Sequence, residues 1–562
     1  MKDVIVNHIA TKTGLDTVEL NGYLLHSKYD PMKEADRIVQ KEHKENYIHI
    51  LFGYGLGYIA DVLKSKMKNK EELIILDPYK SILSSENDEV IDANCVEFVR
   101  DKIWSALSHN RRDIRIICSP NYDKLAREEY LNLLKAIKEI QYMKAISENT
   151  VRFSNESWQE NFVKNLVYAA QDNSLSTLYK AYDCPVVIAS GGPSLSKQLP
   201  LLKKVRNQII LIAAGSTINS LLHEQIEPDY VVTIDGDTPN YEHFKDLKIK
   251  NPALLYSFTS HYKIQHEYTG ERYAFLPIVD QHIENRLQTE YGLKLPIIAG
   301  GGTVSNFALT IAKYITNGPI ALIGQDLAYT NNLTHAAHNK HQKKADAEFY
   351  KSQEVIEVEG FYGDKVITDY GFLSMKESFE MLHRMLKHTA PVFNCTEGGL
   401  KIQHFDQIPF QQYIDEYVNL DEVKKVTPQK KIIALAETAN ILIAEILVYE
   451  KMEKMCSEAI NVLKKEEKKF NFSNNTLKVL DKVDKKMREY SKELLMYNII
   501  KPITMDIMRY FKEKESETSK ERFERVFNHN MMLYSRLFEA IKKSKTFTIE
   551  AVNTLKNETG EL

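Results

Sequence analysis

Six apolar runs in the middle of the chain constrain its fold more than any other feature. They are PVVIASG (185–191), IILIAAGS (209–216), YVVTIDGD (230–237), ALLYSF (253–258), PIIAGGG (296–302) and IALIGQD (320–326), and each closes on small or acidic residues. A strand with one face in water alternates apolar and polar residues, whereas a strand covered on both faces reads as an unbroken apolar run. Six such runs predict a parallel sheet sandwiched by helices, with any ligand at the carboxyl ends of the strands. Those endings are the first place to look for chemistry.

The chain is longer than one core sustains: 562 residues against the roughly 250–300 at which single cores stop growing. Upstream, YIHILFGYG (47–55), ELIILDP (72–78) and IRIICSP (114–120) alternate with helical stretches and predict a smaller α/β domain. From 152 to 181, Trp158, Phe162, Leu166 and Ala169 or Ala170 fall at helical spacing without Gly or Pro and read as joining helices. After about residue 420 the spacing of Ile432, Leu435, Ala439, Leu442, Ile446 and Tyr449 gives an amphipathic helix with an apolar seam. The Asn-rich NFSNN (471–475) then reads as a turn between Lys/Glu-rich helices. The expected division is 1–150, a Rossmann-like domain; 151–420, a doubly wound α/β domain carrying the site; and 421–562, a helical bundle.

A net charge of -3 supplies no field for nucleic acid or an acidic membrane. No uncharged apolar run reaches the roughly 18 residues of a membrane span, and the N-terminus lacks an apolar signal core. Cys95, Cys118, Cys184, Cys395 and Cys456 are scattered without metal-ligand or disulfide spacing, so they read as buried thiols of a cytoplasmic protein.

Ser190, Gly191, Gly192, Pro193, Ser194 and Leu195 form a strand-to-helix turn whose exposed amides and helix N-terminus favour an anion. A Ser-initiated helix after a tight turn explains the same residues without a ligand. Gly215, Ser216 and Thr217 repeat the pattern one strand later, and Gly301, Gly302, Thr303, Ser305 and Asn306 repeat it before a third helix. Asp235 and Asp237 form a D-x-D of the kind that holds a divalent cation on a diphosphate, or they cap the next helix. Asp326 ends the sixth run, followed by Tyr329, His335, His338 and His341. On a helix, three histidines at this spacing do not share a face, so the expectation is a solvated loop with one useful histidine and no metal. In the first domain Gly53, Gly55 and Gly57, with Asp77 after the next strand, mimic a methyltransferase cofactor loop or mark a purely structural Rossmann-like domain.

Taken in order, GGPSLSKQLPLLKK, AAGSTINSLLHEQIEPDYVVTIDGD, GGTVSN, IGQDLAY and NCTEGGLKI resemble the motility-associated factor (Maf) glycosyltransferases. LLHSKYDPMKEADR and LFGYGLGYIADVL are similar to that family's N-terminal region. The central motifs also resemble the bacterial sialyltransferases of glycosyltransferase family 42, with Gly191 where those enzymes carry Asn. The resemblance implies a GT-A-like glycosyltransferase domain. It implies transfer of a nonulosonic acid, of pseudaminic or legionaminic type, from its CMP-activated donor to Ser or Thr of flagellin, in support of flagellum assembly and motility. Asp326 and His335 are then the catalytic candidates, with His338 second to His335. The glycine turns and hydroxyls serve the donor, and Asp235 and Asp237 serve sugar or ribose hydroxyls. No cofactor is required on this reading, although Mg2+ is compatible with it, and the bundle would recognise flagellin. Two alternatives stand beside it. One is an ATP- and Mg2+-dependent pterin pyrophosphokinase-like enzyme with Asp235, Asp237 and Asp326 as metal ligands; the other is a flagellin-binding chaperone without activity.

Overall fold

The computed structural model describes residues 4–68, 71–109, 112–245, 247, 251–279, 281–386, 390–421, 435–511 and 517–559. The chain packs as two compact units, not three. The first covers residues 1–145, and the second covers 146–511 with 518–562, so the C-terminal helices belong with the central sheet.

The first unit opens with an antiparallel meander missed by the sequence reading: β1 (Val6–Ala10), β2 (Asp16–Leu20) and β3 (Tyr23–Leu24). Its main sheet contains β4 (Ile48–Phe52), β5 (Glu72–Asp77), β6 (Val90–Asp92) and β7 (Ile114–Cys118), all parallel in the order β6-β5-β4-β7. This is the Rossmann-like arrangement expected. The helix Arg127–Ala169 begins in this unit and ends in the second. It therefore starts well before the joining helices expected at 152 and stops short of 181.

The second unit is built on β8 (Asn173–Ser174), β9 (Val186–Ala189), β10 (Ile210–Ala214), β11 (Tyr230–Thr233), β12 (Ala253–Ser257), β13 (Arg272–Phe275) and β14 (Ile320–Ile323). A two-stranded ribbon, β15 (Val355–Glu359) and β16 (Lys365–Asp369), precedes β17 (Val392–Asn394) and β18 (Asp406–Gln407). Nine strands form one parallel sheet in the order β18-β17-β14-β9-β10-β11-β12-β13-β8. The apolar runs earn this fold by filling both faces. Val187, Ala189, Leu211 and Ala213 enter one core cluster, while Val186, Ile188, Ile210 and Ile212 enter the other, every one of them fully buried. Full burial of each large aliphatic side chain stabilises by about 1.5–3 kcal/mol.

The fifth expected strand, PIIAGGG, is not one. Ile297 makes only an isolated bridge to Leu276, because Pro296 has no N–H to offer a ladder and the glycines that follow carry no side chain to pack. Of the five cysteines, Cys395 and Cys456 are buried, Cys118 and Cys184 are intermediate and Cys95 is exposed, which corrects the expectation of five buried thiols.

The helices Leu435–Lys464, Asn474–Tyr490, Tyr497–Tyr510 and Ser519–Thr559 share a core of their own around Tyr449, Met452, Cys456 and Tyr534. Ser473 caps the second of them by accepting from the Thr476 N–H, at the turn read from NFSNN. In the seam, Leu442 and Tyr449 are buried, while Ile432 lies outside the described residues. The bundle is joined to the sheet domain through Leu442, Leu495, Ala551, Val552 and Leu555, which enter the cluster on one sheet face. A buried polar knot sits at that junction: the Glu445 carboxylate accepts from Tyr291 Oη at 2.7 Å and pairs with Arg286 at 3.0 Å. No helix among the described residues is long and apolar enough to cross a membrane.

Candidate active site

After β9 the chain runs outward through β10, β11, β12 and β13, then returns to the other side of β9 at β14. The crevice at the carboxyl end of β9 is therefore the switch point at which open α/β sheets bind ligands. A cavity of about 300 Å3 opens there, lined by the endings of PVVIASG, IILIAAGS, YVVTIDGD and IALIGQD and by Thr303 to Ser305.

Its floor is the turn after β9. The Ser190 N–H donates to the Ile323 carbonyl at 3.0 Å and the Gly192 N–H to the Gly324 carbonyl at 2.8 Å, fastening the turn to the end of β14. A Cβ on Gly192 would lie 2.2 Å from Asp326 Oδ2 and 2.5 Å from the Gly324 carbonyl, so only glycine fits. Asp326 is 1 % exposed and accepts from Ser194 Oγ at 2.7 Å and from the Ser194 N–H at 3.2 Å. Burial pushes its carboxyl up, and the hydrogen bonds from Ser194 oppose that shift. The next residue, Leu327, holds a left-handed φ of 50°. An L side chain in that region costs about 1–2 kcal/mol, and such strain persists where the surroundings enforce it, often at functional sites.

Two helices of sufficient length begin at this floor, Leu195–Lys204 and Val304–Ile315. Neither N-terminus is capped by a side chain: Ser194 spends its hydroxyl on Asp326, and Thr303 makes no capping bond. Ser190 Oγ bridges Ser305 Oγ at 2.9 Å and Gln325 Oε1 at 2.6 Å, tying the two helix starts together. Among the described residues, no lysine or arginine lines the cavity. An anion there would be held by backbone N–H groups, hydroxyls and the helix dipoles.

The roof is the loop carrying the histidines, fixed by four hydrogen bonds. The Ala336 N–H reaches the Gly191 carbonyl at 2.9 Å, the Ala337 N–H reaches Ser196 Oγ at 3.2 Å, Ser220 Oγ reaches the Ala337 carbonyl at 2.8 Å, and Asn339 Nδ2 reaches Ser216 Oγ at 3.2 Å. It is not a helix, and two of its histidines face the cavity where one was expected: His335 and His341. His338 is exposed and stacks on His223 with ring centroids 3.4 Å apart, so it is not at the cavity. His243, which nothing in the sequence marked, is brought in by the helix Thr238–Phe244, and its Nε2 shares a hydrogen bond with Nε2 of His341.

Among the described residues, three buried polar atoms of the cavity lining have no partner: Thr217 Oγ1, His243 Nδ1 and His335 Nδ1. Burying such groups unpaired costs about 1–3 kcal/mol each, and that cost is recovered when a ligand supplies the partners. Burial, with His341 nearby, holds His335 and His243 down to about 4, and a hydrogen bond from the His335 ring to the backbone of His341 opposes the shift. At neutral pH His335 is therefore unprotonated, with one ring nitrogen engaged and Nδ1 open as an acceptor.

Asp237 accepts from the Asn240 N–H at 3.0 Å and caps the helix Thr238–Phe244, as the ligand-free reading of D-x-D has it. Asp235 also lines the cavity; it is exposed to solvent there, but the surrounding walls, with Asp237 nearby, push its carboxyl up to about 6. Ser190, Gly191, Gly192, Pro193, Gly215, Ser216, Thr217, Thr303 and Ser305 all line the cavity. Four other candidates do not. Leu195 is fully buried in the core, Asn306 is fully buried with Oδ1 unpartnered, Gly302 lies exposed against Met375, and Ser194 sits behind the floor on Asp326.

The glycine loop of the first unit is filled by the protein itself. A Cβ on Gly53 would fall 2.5 Å from the Tyr122 ring, and His26 and Tyr54 crowd Gly55 and Gly57. Asp77 is fully buried and accepts from the N–H groups of Tyr54, Gly55 and Tyr79 and from Tyr122 Oη. The acid and amides that would meet a cofactor are spent on one another.

The fold and crevice define a doubly wound α/β unit with a polar cavity at the switch point of its sheet. Residues 160–332 match the family model described as 6-hydroxymethylpterin diphosphokinase MptE-like. Among solved structures, a Maf glycosyltransferase from Magnetospirillum magneticum AMB-1 is similar over 98% of this chain and 91% of that chain, at 13% identity and a TM-score of 0.48. No curated protein matches the chain.

Proposed function

We propose that the chain is a glycosyltransferase of the Maf type, moving a nonulosonic acid from its CMP-activated form to Ser or Thr of flagellin. The observation that carries the reading is the pairing, in one switch-point cavity, of an uncapped helix N-terminus with an unpartnered histidine nitrogen. The ordered motifs that resemble the Maf family supply the identity of donor and acceptor.

The donor phosphate sits beside Gly191 at the uncapped start of the helix Val304–Ile315, since the Gly192 and Ser194 N–H groups are already bonded to the Gly324 carbonyl and to Asp326. There the backbone dipoles stabilise the negative charge that grows as CMP departs. The acceptor oxygen bonds the anomeric carbon, the bond from that carbon to the phosphate oxygen breaks with its electron pair going to CMP, and Nδ1 of His335 takes the hydroxyl proton. Thr217 offers its unpartnered hydroxyl to the phosphate, and Asp235 faces donor hydroxyls. Asp326 holds the floor through Ser194 and is a positioning residue on this account.

The pyrophosphokinase-like alternative needs Asp235, Asp237 and Asp326 together on a metal. Asp326 is committed to Ser194 and Asp237 to a helix N-terminus, which disfavours that set and a triphosphate-metal substrate with it. The test is the intact mass of flagellin co-expressed with this chain and a pathway making the CMP-nonulosonate. Added sugar masses support the reading, and unmodified flagellin that still co-purifies with the chain leaves the chaperone instead.

A further inference from the structure

The histidine of the roof loop that turns away from the cavity meets a second cluster of donors. His338 stacks on His223 with ring centroids 3.4 Å apart and planes 9° from parallel. The Glu224 carboxylate lies 3.3 Å from Nδ1 of His223. One donor atom of each of the three residues lies within 4.8 Å of the others, and all three residues are exposed.

Aromatic rings that pair for their own sake sit about 4.5–7 Å apart, offset or edge to face. The two imidazoles are closer than that and face each other. Their spacing is that of two ligands on one cation: with Zn–N bonds of about 2.0–2.1 Å, tetrahedral angles place the ligand nitrogens about 3.4 Å apart. Parallel rings aim their lone pairs side by side, and a turn of either ring about its soft terminal torsion brings both onto one point. Two imidazoles and a carboxylate are a three-ligand set with which proteins hold Zn2+, the fourth position staying open to water. Imidazole nitrogens select such a cation over Mg2+ or Ca2+, which take oxygen ligands.

The backbone is fixed on both sides of the cluster. The Ala337 N–H on Ser196 Oγ and the Asn339 amide on Ser216 Oγ anchor the two neighbours of His338, which itself holds a left-handed φ of 62°. His223 ends the helix Thr217–His223, and the Glu224 N–H closes that helix on the Leu221 carbonyl at 3.1 Å. The same helix begins at Thr217, whose unpartnered hydroxyl lies in the cavity wall, and the same loop carries His335 and His341. A cation shared by His223 and His338 thus fastens the roof to that wall, roughly 9 Å along the helix from Thr217. Another group of this composition, His43, His49 and Glu71 in the first unit, is differently placed. Glu71 is engaged there by His43 Nε2 and the Asn46 N–H, and Arg115 stands opposite His49 on the neighbouring strand, where its charge opposes a metal ion.

We propose that His223, Glu224 and His338 form a binding site for a divalent transition cation of the Zn2+ class, which clamps the histidine loop to the helix that begins at Thr217. The proposal stands apart from the glycosyltransferase reading, since none of the three residues lines the cavity.

The experiment is calorimetric titration of the metal-stripped full chain with ZnCl2, with hydrogen exchange at the Ala336 and Ala337 amides as a second readout. The unsubstituted chain is expected to bind one equivalent of zinc at this site. His338→Asn keeps a residue suited to the left-handed turn and removes the ligand, so affinity for that equivalent falls about a hundredfold or more. His338→Cys supplies a thiolate ligand and retains it, and His43→Ala leaves it unchanged. Zinc slows exchange at Ala336 and Ala337 in the unsubstituted chain and not in His338→Asn. No saturable zinc binding, or affinity unchanged in His338→Asn, overturns the site. Binding that needs His338 but leaves exchange at Ala336 and Ala337 unaltered overturns the clamp.

Discussion

Asp326→Ala and Ser194→Ala form a graded pair that tests how the turn after β9, the proposed phosphate floor, is held. Ser194→Ala removes one partner of the buried Asp326 carboxyl, the 2.7 Å contact from Oγ, at a cost of about 1–3 kcal/mol. Asp326→Ala removes that bond and the one from the Ser194 N–H, leaving two donors buried at about 1–3 kcal/mol each. The expected cost is thus about 2–6 kcal/mol for Asp326→Ala and about half of that for Ser194→Ala. A domain stability of about 5–15 kcal/mol survives most of that range. Denaturant unfolding measures the stability loss, and sugar transfer to flagellin measures the consequence. Both variants should fold and both should lose transfer, Asp326→Ala more completely, because the helix N-terminus no longer sits where the phosphate needs it. Transfer at the unsubstituted rate in a folded Asp326→Ala protein would refute the bracing role.

Glu445 gives a pH signature at the junction of bundle and sheet domain. Burial raises its carboxyl from 4.5 to about 7 in the folded chain, against the pull of Arg286 and Tyr291. The folded state therefore holds a proton that the unfolded state has released, and stability falls as pH rises from 4.5 through 7 by up to about 3 kcal/mol. Glu445→Gln should abolish that slope between about pH 5 and about pH 8 in denaturant unfolding, whereas parallel profiles would show that Glu445 does not titrate there. For the first unit, calorimetric titration of the full chain with S-adenosylmethionine should give no binding heat, because Tyr122 and His26 occupy the space over the glycine loop. Saturable binding would overturn that closure.

The core of the fold was legible because strands buried on both faces write themselves as unbroken apolar runs, as β9, β10, β11, β12 and β14 do. β1 to β3 and the β15–β16 ribbon were not, since half-exposed or very short strands leave little continuous signal; neither was β17, three residues long. PIIAGGG carried the apolar signal without the backbone to pair. At the site, strand-end glycines and hydroxyls announced themselves because a turn at a switch point needs small residues. Asp326 was visible as an acid at a strand end, but its use as a brace for Ser194 depends on β9 and β14 lying side by side, which no local pattern encodes. His243 was invisible for the same reason: it meets His341 across 98 residues of chain, and only the tertiary fold brings that pair together.

The measurement that bears most directly on the central claim is the intact mass of flagellin co-expressed with the CMP-nonulosonate pathway and either the unsubstituted chain or His335→Ala. The account expects added nonulosonic acid masses with the first and their loss with the second, the His335→Ala protein remaining folded. Equal glycosylation with both would contradict the assignment of the proton to His335. Unmodified flagellin with both would contradict the glycosyltransferase itself.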